Sequence, residues 1–138
     1  MKLQFFAVTA ALLCLACSVM NKKPNLKSTV WKCEYQEFVA DAGNESVTVT
    51  LNFVSDKDYV LEYRAVMPSY PAMYMNPDGT VDKMPGYSRE YSTKGTYSID
   101  QGIVTLTDKE GSKTLRMVSD NLESDDLFYQ HLVFSREE

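Results

Sequence analysis

Apolar and polar residues alternate along much of the chain, and the alternation is clearest between residues 46 and 63. One set of alternate positions carries the apolar side chains of Val47, Val49, Leu51 and Phe53. Side chains two residues apart point to the same face of a β-strand, so the intervening Ser, Thr and Asn residues face the other way. The turn-forming residues Ser55–Asp58 follow, and a second alternating run begins at Tyr59. The stretch predicts an antiparallel hairpin with one buried and one solvated face.

Further segments with the same alternation bring the predicted total to eight strands. The predicted strands are residues 29–38, 46–54, 59–66, 91–99, 103–107, 113–118, a short run around Leu122, and 127–135. The alternation shifts after Tyr35, which predicts a bulge or a strand end there. In the last strand, Phe128, Leu132 and Phe134 are expected to share a face. Because closure removes exposed strand edges, the sequence predicts an all-β domain, a single antiparallel up-and-down eight-stranded barrel.

The interior of a barrel of this size either is filled by side chains or holds one small ligand. The predicted inward side chains include many rings: Trp31, Tyr35, Phe53, Tyr59, Tyr63, Tyr97, Phe128 and Phe134. So many rings predict a largely filled core, with at most a cleft at one end.

The first residues have the pattern of an export signal. Lys2 precedes an apolar stretch from Leu3 to Leu15, which is shorter than the roughly 20 residues of a membrane-spanning helix. The sequence Leu15-Ala16-Cys17-Ser18 resembles the lipobox of bacterial lipoproteins, in which the cysteine is acylated. This predicts a signal peptide at 1–16, a lipidated tether at 17–28 and a barrel domain at 29–138. The alternative is cleavage near Ala16 and release as a soluble secreted protein.

The lipid anchor predicts a location in the cell envelope. No acidic residue follows Cys17 in the segment Ser18–Asn21, which favours an outer-membrane protein facing the periplasm. The chain has 14 basic and 19 acidic residues and a net charge of −5. Nucleic-acid binding requires clustered Lys and Arg, so this composition argues against a nucleic-acid partner.

Acylation of Cys17 leaves Cys33 as the one cysteine of the mature chain and excludes an intramolecular disulfide. Cys33 is either a reactive thiol or a small buried apolar residue between Trp31 and Tyr35. Burial is favoured because free cysteine is among the most buried residue types.

Several segments resemble the lipocalin-like (calycin-type) small lipoproteins of Gram-negative bacteria. The matching segments are Leu26–Lys32, Thr48–Phe53, Asp56–Tyr59, Lys94–Ile99 and Val104–Thr107. The lipocalin signature has glycine two residues before the tryptophan, whereas this chain has Thr29. The resemblance implies an eight-stranded barrel in which Arg136 packs on Trp31 by a cation–π contact and closes the base. The alternative is that Arg136 is a frayed terminal charge.

The segment Met67–Arg89 interrupts the alternation and holds four prolines. It is either a binding surface at the barrel mouth or a plug that closes it; the plug is favoured because large exposed apolar patches are uncommon on monomers. The ligand-binding candidates combine this segment with tyrosines of the barrel: Tyr59, Tyr63, Tyr70, Met73, Tyr74, Met75, Met84, Tyr87 and Tyr97.

Other candidate sites have simpler interpretations. His131 is expected to be a polar residue on the outer face of the last strand, because catalysis and zinc binding both need partners for it. Asn76–Asp82 resembles part of a calcium loop but lacks the terminal glutamate, so a tight turn is expected. Met73 and Met75 suit apolar packing better than copper binding. We expect no metal and no cofactor.

Two hypotheses of function remain, and neither is an enzyme. The first is a lipid-anchored barrel that binds a small hydrophobic ligand or a partner protein at one end. The second is an accessory envelope lipoprotein with a filled barrel and no ligand. An interior cavity above ~300 Å³ lined by Tyr59, Tyr63 and Tyr97 would favour the first. An enzyme would need a cluster of carboxylates with shifted pKa values in a cleft.

Overall fold

The computed structural model describes residues 24–138. The predicted signal peptide, Cys17 and most of the predicted tether lie outside the described residues. The strands of the described part are β1 (Thr29–Val39), β2 (Gly43–Phe53), β3 (Asp58–Met67), β4 (Tyr70–Pro71), β5 (Lys83–Met84), β6 (Tyr87–Asp100), β7 (Ile103–Asp108), β8 (Gly111–Val118), β9 (Asn121–Ser124) and β10 (Leu132–Arg136). Between residues 24 and 138, no helix is both long enough and apolar enough to span a bilayer.

Eight of these strands form a closed antiparallel barrel. Their order around the barrel is β1-β10-β9-β8-β7-β6-β3-β2, in which every pair consists of consecutive barrel strands or of the first and last. The short strands β4 and β5 pair separately. The predicted all-β, eight-stranded, up-and-down barrel is therefore confirmed.

Period-two alternation fills the barrel interior as predicted. On β2, Val47, Val49, Leu51 and Phe53 are all buried. Ring and aliphatic side chains from the far strands meet them, and Phe134, Leu122 and Leu115 are fully buried. All eight rings of the predicted inward set belong to this core or pack against it.

The end of the barrel that contains Trp31 and Phe53 is closed, and we call it the base. The Trp31 indole N–H donates to Thr29 Oγ1 at 2.9 Å, and that hydroxyl donates to the Leu26 carbonyl at 2.5 Å. Leu26 is itself buried in the core, so the folded part of the chain includes residues before Thr29. Trp31 pairs with Arg136 across β1 and β10. This register agrees with the predicted position of Arg136, while its cation–π contact with Trp31 stays a prediction.

The opposite end, which we call the mouth, is splayed open. β10 is in register with β1 only at Trp31 and Lys32, and β7 pairs with β6 only from Thr96 onward. Toward the mouth, β1, β2, β3 and the first half of β6 continue as a four-stranded curved sheet. The splayed sheet leaves an open interior surface at this end.

Three predicted strand boundaries were wrong near the mouth. β1 pairs with β2 without interruption from Thr29 to Val39, so there is no bulge after Tyr35; Phe38 simply faces solvent. β2 begins at Gly43 rather than residue 46. β6 begins at Tyr87 rather than residue 91, because Met67 at the end of β3 pairs with Tyr87.

The last predicted strand was also wrong. Residues 125–131, which we call the mouth loop, leave the barrel wall and include a 3₁₀ turn at Leu127–Tyr129. Ser124 ends β9, and its hydroxyl accepts the backbone N–H groups of Asp126 and Leu127 at 3.2 Å each. That local capping turns the chain inward, so Phe128 does not share a strand face with Leu132 and Phe134.

Gly95 directly precedes Thr96, where the pairing of β6 with β7 ends and the splayed region begins. A Cβ atom at this position would lie 2.1 Å from the carbonyl oxygen of Thr107 on β7. Only glycine allows the two strands to approach this closely where they separate.

Candidate functional site

The mouth presents a row of inward positions across the four splayed strands. Tyr35 on β1 pairs with Val47 on β2, which pairs with Ala65 on β3, which pairs with Arg89 on β6. Val47 and Ala65 in the middle of this row are small, and they leave space between the long polar side chains of Tyr35 and Arg89 at its ends. Glu45, two residues before Val47 on β2, therefore faces inward just above the row.

The mouth loop is fastened to β8 on the opposite side of the barrel. Ser124 Oγ donates to the Thr114 carbonyl at 2.9 Å. The carboxylate of Asp126 accepts both the backbone N–H of Thr114 at 3.0 Å and its hydroxyl at 2.7 Å. The Thr114 contacts hold the pKa of Asp126 below its ordinary value. These bonds position the aromatic residues that follow.

His131 fixes the other end of the mouth loop. Its Nδ1 lies 2.6 Å from Asp125 Oδ1 and its Nε2 lies 3.2 Å from Glu123 Oε1. Arg116 also binds Asp125 at 3.0 Å. The hydrogen bond that His131 donates to Asp125 raises the pKa of His131. The same hydrogen bond, followed by the one from Arg116, lowers the pKa of Asp125. His131 is exposed, as predicted, but it precedes β10 rather than lying on it, and its partners are Asp125 and Glu123.

Two consecutive residues of the mouth loop have left-handed backbone conformations. Phe128 has φ of 54° and Tyr129 has φ of 56°. Bulky residues rarely adopt this region, and strained residues of this kind cluster at active sites and ligand-binding sites. The Phe128 ring packs on Tyr63 with centroids 5.0 Å apart, while Tyr129 is 96 % exposed. Lys113 of β8 lies 5.8 Å from the Tyr129 ring centroid.

Phe128 and Tyr129 line two cavities, so the mouth loop lies between them. The first, the mouth cleft, has a volume of about 550 Å³ and is bounded by the ends of β1 and β2, by Tyr63 and by Arg89. The second, the hairpin cleft, has a volume of about 350 Å³ and lies toward the β7–β8 turn, with Tyr59, Leu61 and Leu106 among its lining residues.

The mouth cleft contains buried polar groups without partners. Glu45 is fully buried, and its Oε1 accepts from Arg89 Nη2 at 2.5 Å. Its second oxygen, Oε2, has no hydrogen-bond partner, and neither has the buried hydroxyl of Tyr35. The Tyr87 hydroxyl approaches Glu45 and Gln130 approaches Tyr35, but neither makes a hydrogen bond of acceptable geometry. Native proteins leave few such groups unpaired, so each of them calls for a specific explanation.

Burial and hydrogen bonding shift the pKa values of residues that line the mouth cleft. Burial, followed by the neighbouring Tyr63 and Glu37, raises the pKa of Tyr35 to about 12. Burial also raises the pKa of Tyr63. Hydrogen bonding to Glu45 raises the pKa of Arg89. At neutral pH the cleft therefore presents neutral phenols beside a guanidinium–carboxylate pair.

The predicted ligand-binding residues do not form one site. Tyr63 lines the mouth cleft and Tyr59 lines the hairpin cleft. Burial, followed by the nearby Asp108, raises the pKa of Tyr59 to about 12. Tyr97 packs edge-on against Phe53 with centroids 4.7 Å apart, and its hydroxyl donates to the Ser55 carbonyl at 2.6 Å. Neither cleft is lined by all three tyrosines.

The Met67–Arg89 segment stands beside the mouth and lines a third cavity. This side groove, of about 330 Å³, lies between the β1–β2 turn and the segment. The predicted residues that line it are Tyr70, Met73, Tyr74, Met84 and Tyr87. Met75 is 68 % exposed and lies outside the groove. Within the segment Arg89 lines the mouth cleft, whereas residues 67–86 do not line it and therefore do not fill it.

Sequence reasoning missed Tyr35, Glu45, Arg89 and Phe128 as a cluster. Extending the alternation of β2 backward from Val47 places Glu45 inward, and a carboxylate at an inward position was the available signal. Arg89 is its partner across 44 residues of sequence separation. Only the register of β2, β3 and β6 brings the two side chains together.

The remaining candidates have structural roles. Cys33 is buried, and burial raises the pKa of its thiol. Asn76–Asp82 forms a tight turn, with the Asn76 side chain donating to Thr80 and Asp82 at 3.1 and 3.0 Å. Within residues 24–138, no group of three or more His, Cys, Asp or Glu side chains is arranged to hold a metal ion.

Comparison with protein-family models, with curated proteins and with solved structures gives no match for this chain. The closed eight-stranded antiparallel barrel is compatible with a lipocalin-like fold.

Proposed function

We propose that this protein is a lipid-anchored, non-enzymatic binding protein of the cell envelope that holds a small ligand in its mouth cleft. The observation that carries the proposal is that Glu45 and Tyr35, each of which holds a buried polar atom without a hydrogen-bond partner, line the same cavity of about 550 Å³. A cavity of this volume is in the range of small-molecule sites. Unpaired buried polar atoms cost about 1–3 kcal/mol each, which a ligand or water that bonds them recovers.

In this proposal the base of the barrel is a rigid support and the mouth is the binding site. The base is densely packed with fully buried side chains, which makes a rigid support. The mouth carries the cleft, the strained Phe128 and Tyr129, and the fastened loop. Function in small barrels commonly lies at such an open end, where loops meet a rigid wall.

The membrane attachment rests on the lipobox resemblance at Cys17. Acylation there anchors the chain to the envelope, with the residues after Cys17 spacing the barrel from the lipid surface. We place the domain on the periplasmic side of the outer membrane. The ligand is then a molecule that reaches this compartment.

The second candidate function is an accessory lipoprotein that docks a partner through the side groove. The exposed apolar side chains beside that groove favour it: Phe38, Met73, Tyr74 and Met75 are between 61 % and 76 % exposed. Exposed apolar groups clustered in this way commonly mark protein contacts.

Native mass spectrometry of the protein extracted from the membrane of its producing cells tests the proposal. The chain mass reports acylation of Cys17, and any additional mass reports a retained small molecule. We expect a small molecule on the wild type and on the control Tyr74→Phe, which alters only the side groove. We expect a smaller fraction of chains to retain that molecule in Tyr35→Phe and Phe128→Ala. Acylated chain without a small molecule in every sample would favour the accessory role.

A further inference from the structure

The chemistry of the mouth cleft restricts what it can bind. A carboxylate accepts hydrogen bonds and donates none, so the free oxygen of Glu45 needs a donor. Arg89 supplies one contact, to Oε1, from a guanidinium that is itself 58 % exposed. An occupant that satisfies Oε2 must therefore bring an N–H or O–H group to this buried oxygen of the cleft wall.

The charge of the mouth cleft determines whether a charged or a neutral hydrogen-bond donor is favoured. Its ionisable lining consists of the carboxylates of Glu37 and Glu45 and the guanidinium of Arg89, with the phenols neutral at pH 7. Arg89 already faces Glu45, so the carboxylates are in excess. A positively charged donor is favoured over a neutral one by this excess, and its hydrogen bond to a carboxylate is the stronger kind.

The aromatic side chains of the mouth cleft also favour a positively charged ligand. Tyr35, Tyr63 and Phe128 line the cleft together. Ring faces attract organic cations by their quadrupole and also cover an apolar body. An anion would meet two carboxylates, and a purely apolar ligand would leave the buried Oε2 of Glu45 without a donor.

On the premise that the mouth cleft binds a small molecule, as proposed above, we infer that the ligand is an organic ammonium ion, a protonated amine carried on an apolar or aromatic body. Its N–H groups donate to Glu45 Oε2 and to the Tyr35 hydroxyl oxygen. Its body lies against Phe128 and Tyr63.

Isothermal titration calorimetry of the full mature chain at neutral pH tests the inference with three probes of similar shape. They are the cation 2-phenylethylammonium, the neutral 2-phenylethanol and the anion 3-phenylpropanoate. We expect the cation to bind about ten- to a hundredfold more tightly than the alcohol, as for a hydrogen bond to a charged group. The anion is expected to bind most weakly.

Two variants and a matched control test whether the preference for the cation depends on Glu45 and Tyr35. Glu45→Gln removes the charge and is expected to abolish the preference for the cation. Tyr35→Phe, which removes only one hydroxyl from the wall, is expected to weaken binding of the cation severalfold. Glu34→Gln removes one charge from the exposed outer face of β1 and is expected to bind all three probes as the wild type does.

The possible results separate the two proposals. Tighter binding of the alcohol or the anion, sensitive to Tyr35→Phe, would overturn the inference about the ammonium ion and support the binding function. Equal cation binding by wild type and Glu45→Gln would also overturn the inference. Absence of binding by all three probes would count against both.

Discussion

Phe128 packs on Tyr63 with ring centroids 5.0 Å apart and an interplanar angle of 41°. This contact joins the mouth loop to the inner wall of β3 and separates the mouth cleft from the hairpin cleft. Because Phe128 has φ of 54°, the loop holds a strained backbone to make the contact. The position of this ring therefore determines the shape of both cavities.

Replacing Phe128 by alanine is expected to release the mouth loop. The aromatic pair is worth about 0.5–1.5 kcal/mol beyond its buried area, and the base of the barrel does not depend on it. Hydrogen–deuterium exchange should show faster exchange in residues 125–131 and unchanged exchange in β1–β3. The exposed neighbour gives the control, since Tyr129→Ala should leave exchange as in the wild type. Equal effects of the two substitutions would contradict the role assigned to Phe128.

The network around His131 should give a pH-dependent contribution to stability. Asp125 and Glu123 raise the folded-state pKa of His131 above 6.5, so its contribution is fully present below that pH and is lost as the pH rises through the raised value. Asp125 has a pKa below 3.8, so its contribution is lost again in strong acid. Urea unfolding of wild type and His131→Gln should show a larger difference at about pH 5 than at about pH 9. A difference that grows with pH would contradict the assignment.

Removing the hydroxyl groups of Tyr35 and Tyr97 should have different effects on the free energy of unfolding. In the ligand-free protein, Tyr35→Phe removes a buried hydroxyl without a partner and is expected to leave stability unchanged or raise it by up to about 1 kcal/mol. Tyr97→Phe loses the bond to the Ser55 carbonyl and is expected to cost about 0.5–1.5 kcal/mol. Chemical denaturation measures both. A larger loss for Tyr35→Phe than for Tyr97→Phe would show that the mouth hydroxyl has a structural role.

Gly95→Ala should damage the fold. The added carbon would lie 2.1 Å from the Thr107 carbonyl oxygen, so β6 and β7 would have to separate where the mouth begins. We expect a loss of several kcal/mol, on the order of other backbone clashes in a packed sheet. Ser98→Ala, on the exposed face of β6, is the control and should lie within about 0.5 kcal/mol of the wild type. A thermal melt of Gly95→Ala that matches the wild type would contradict the close approach of the two strands.

The barrel was predictable because its signal is local. Alternation across Val47, Val49, Leu51 and Phe53 specifies both a strand and its buried face, and short turns leave few topologies for eight such strands. The pairing of Tyr97 with Leu106 and of Ile99 with Val104 follows from the turn between them. The aromatic count likewise predicted a largely filled core, and the predicted rings belong to the core or pack against it.

The site was less predictable because its determinants are not local. The last strand was extended too far because Leu127 and Phe128 continue an apolar run, whereas the Ser124 hydroxyl and the contacts from Thr114 to Asp126 turn the chain. Glu45 and Arg89 meet only through the register of three strands. Met67–Arg89 has no periodicity, so the sequence could not indicate on which side of the mouth it would lie.

The most direct test is a high-resolution crystal structure of the protein purified without denaturation from its own membrane. We predict ligand density in the mouth cleft, within hydrogen-bond distance of Glu45 Oε2 and the Tyr35 hydroxyl, with Phe128 against it. An empty or collapsed cleft, in which Arg89 or Tyr87 binds both oxygens of Glu45 and Gln130 binds Tyr35, would contradict the account.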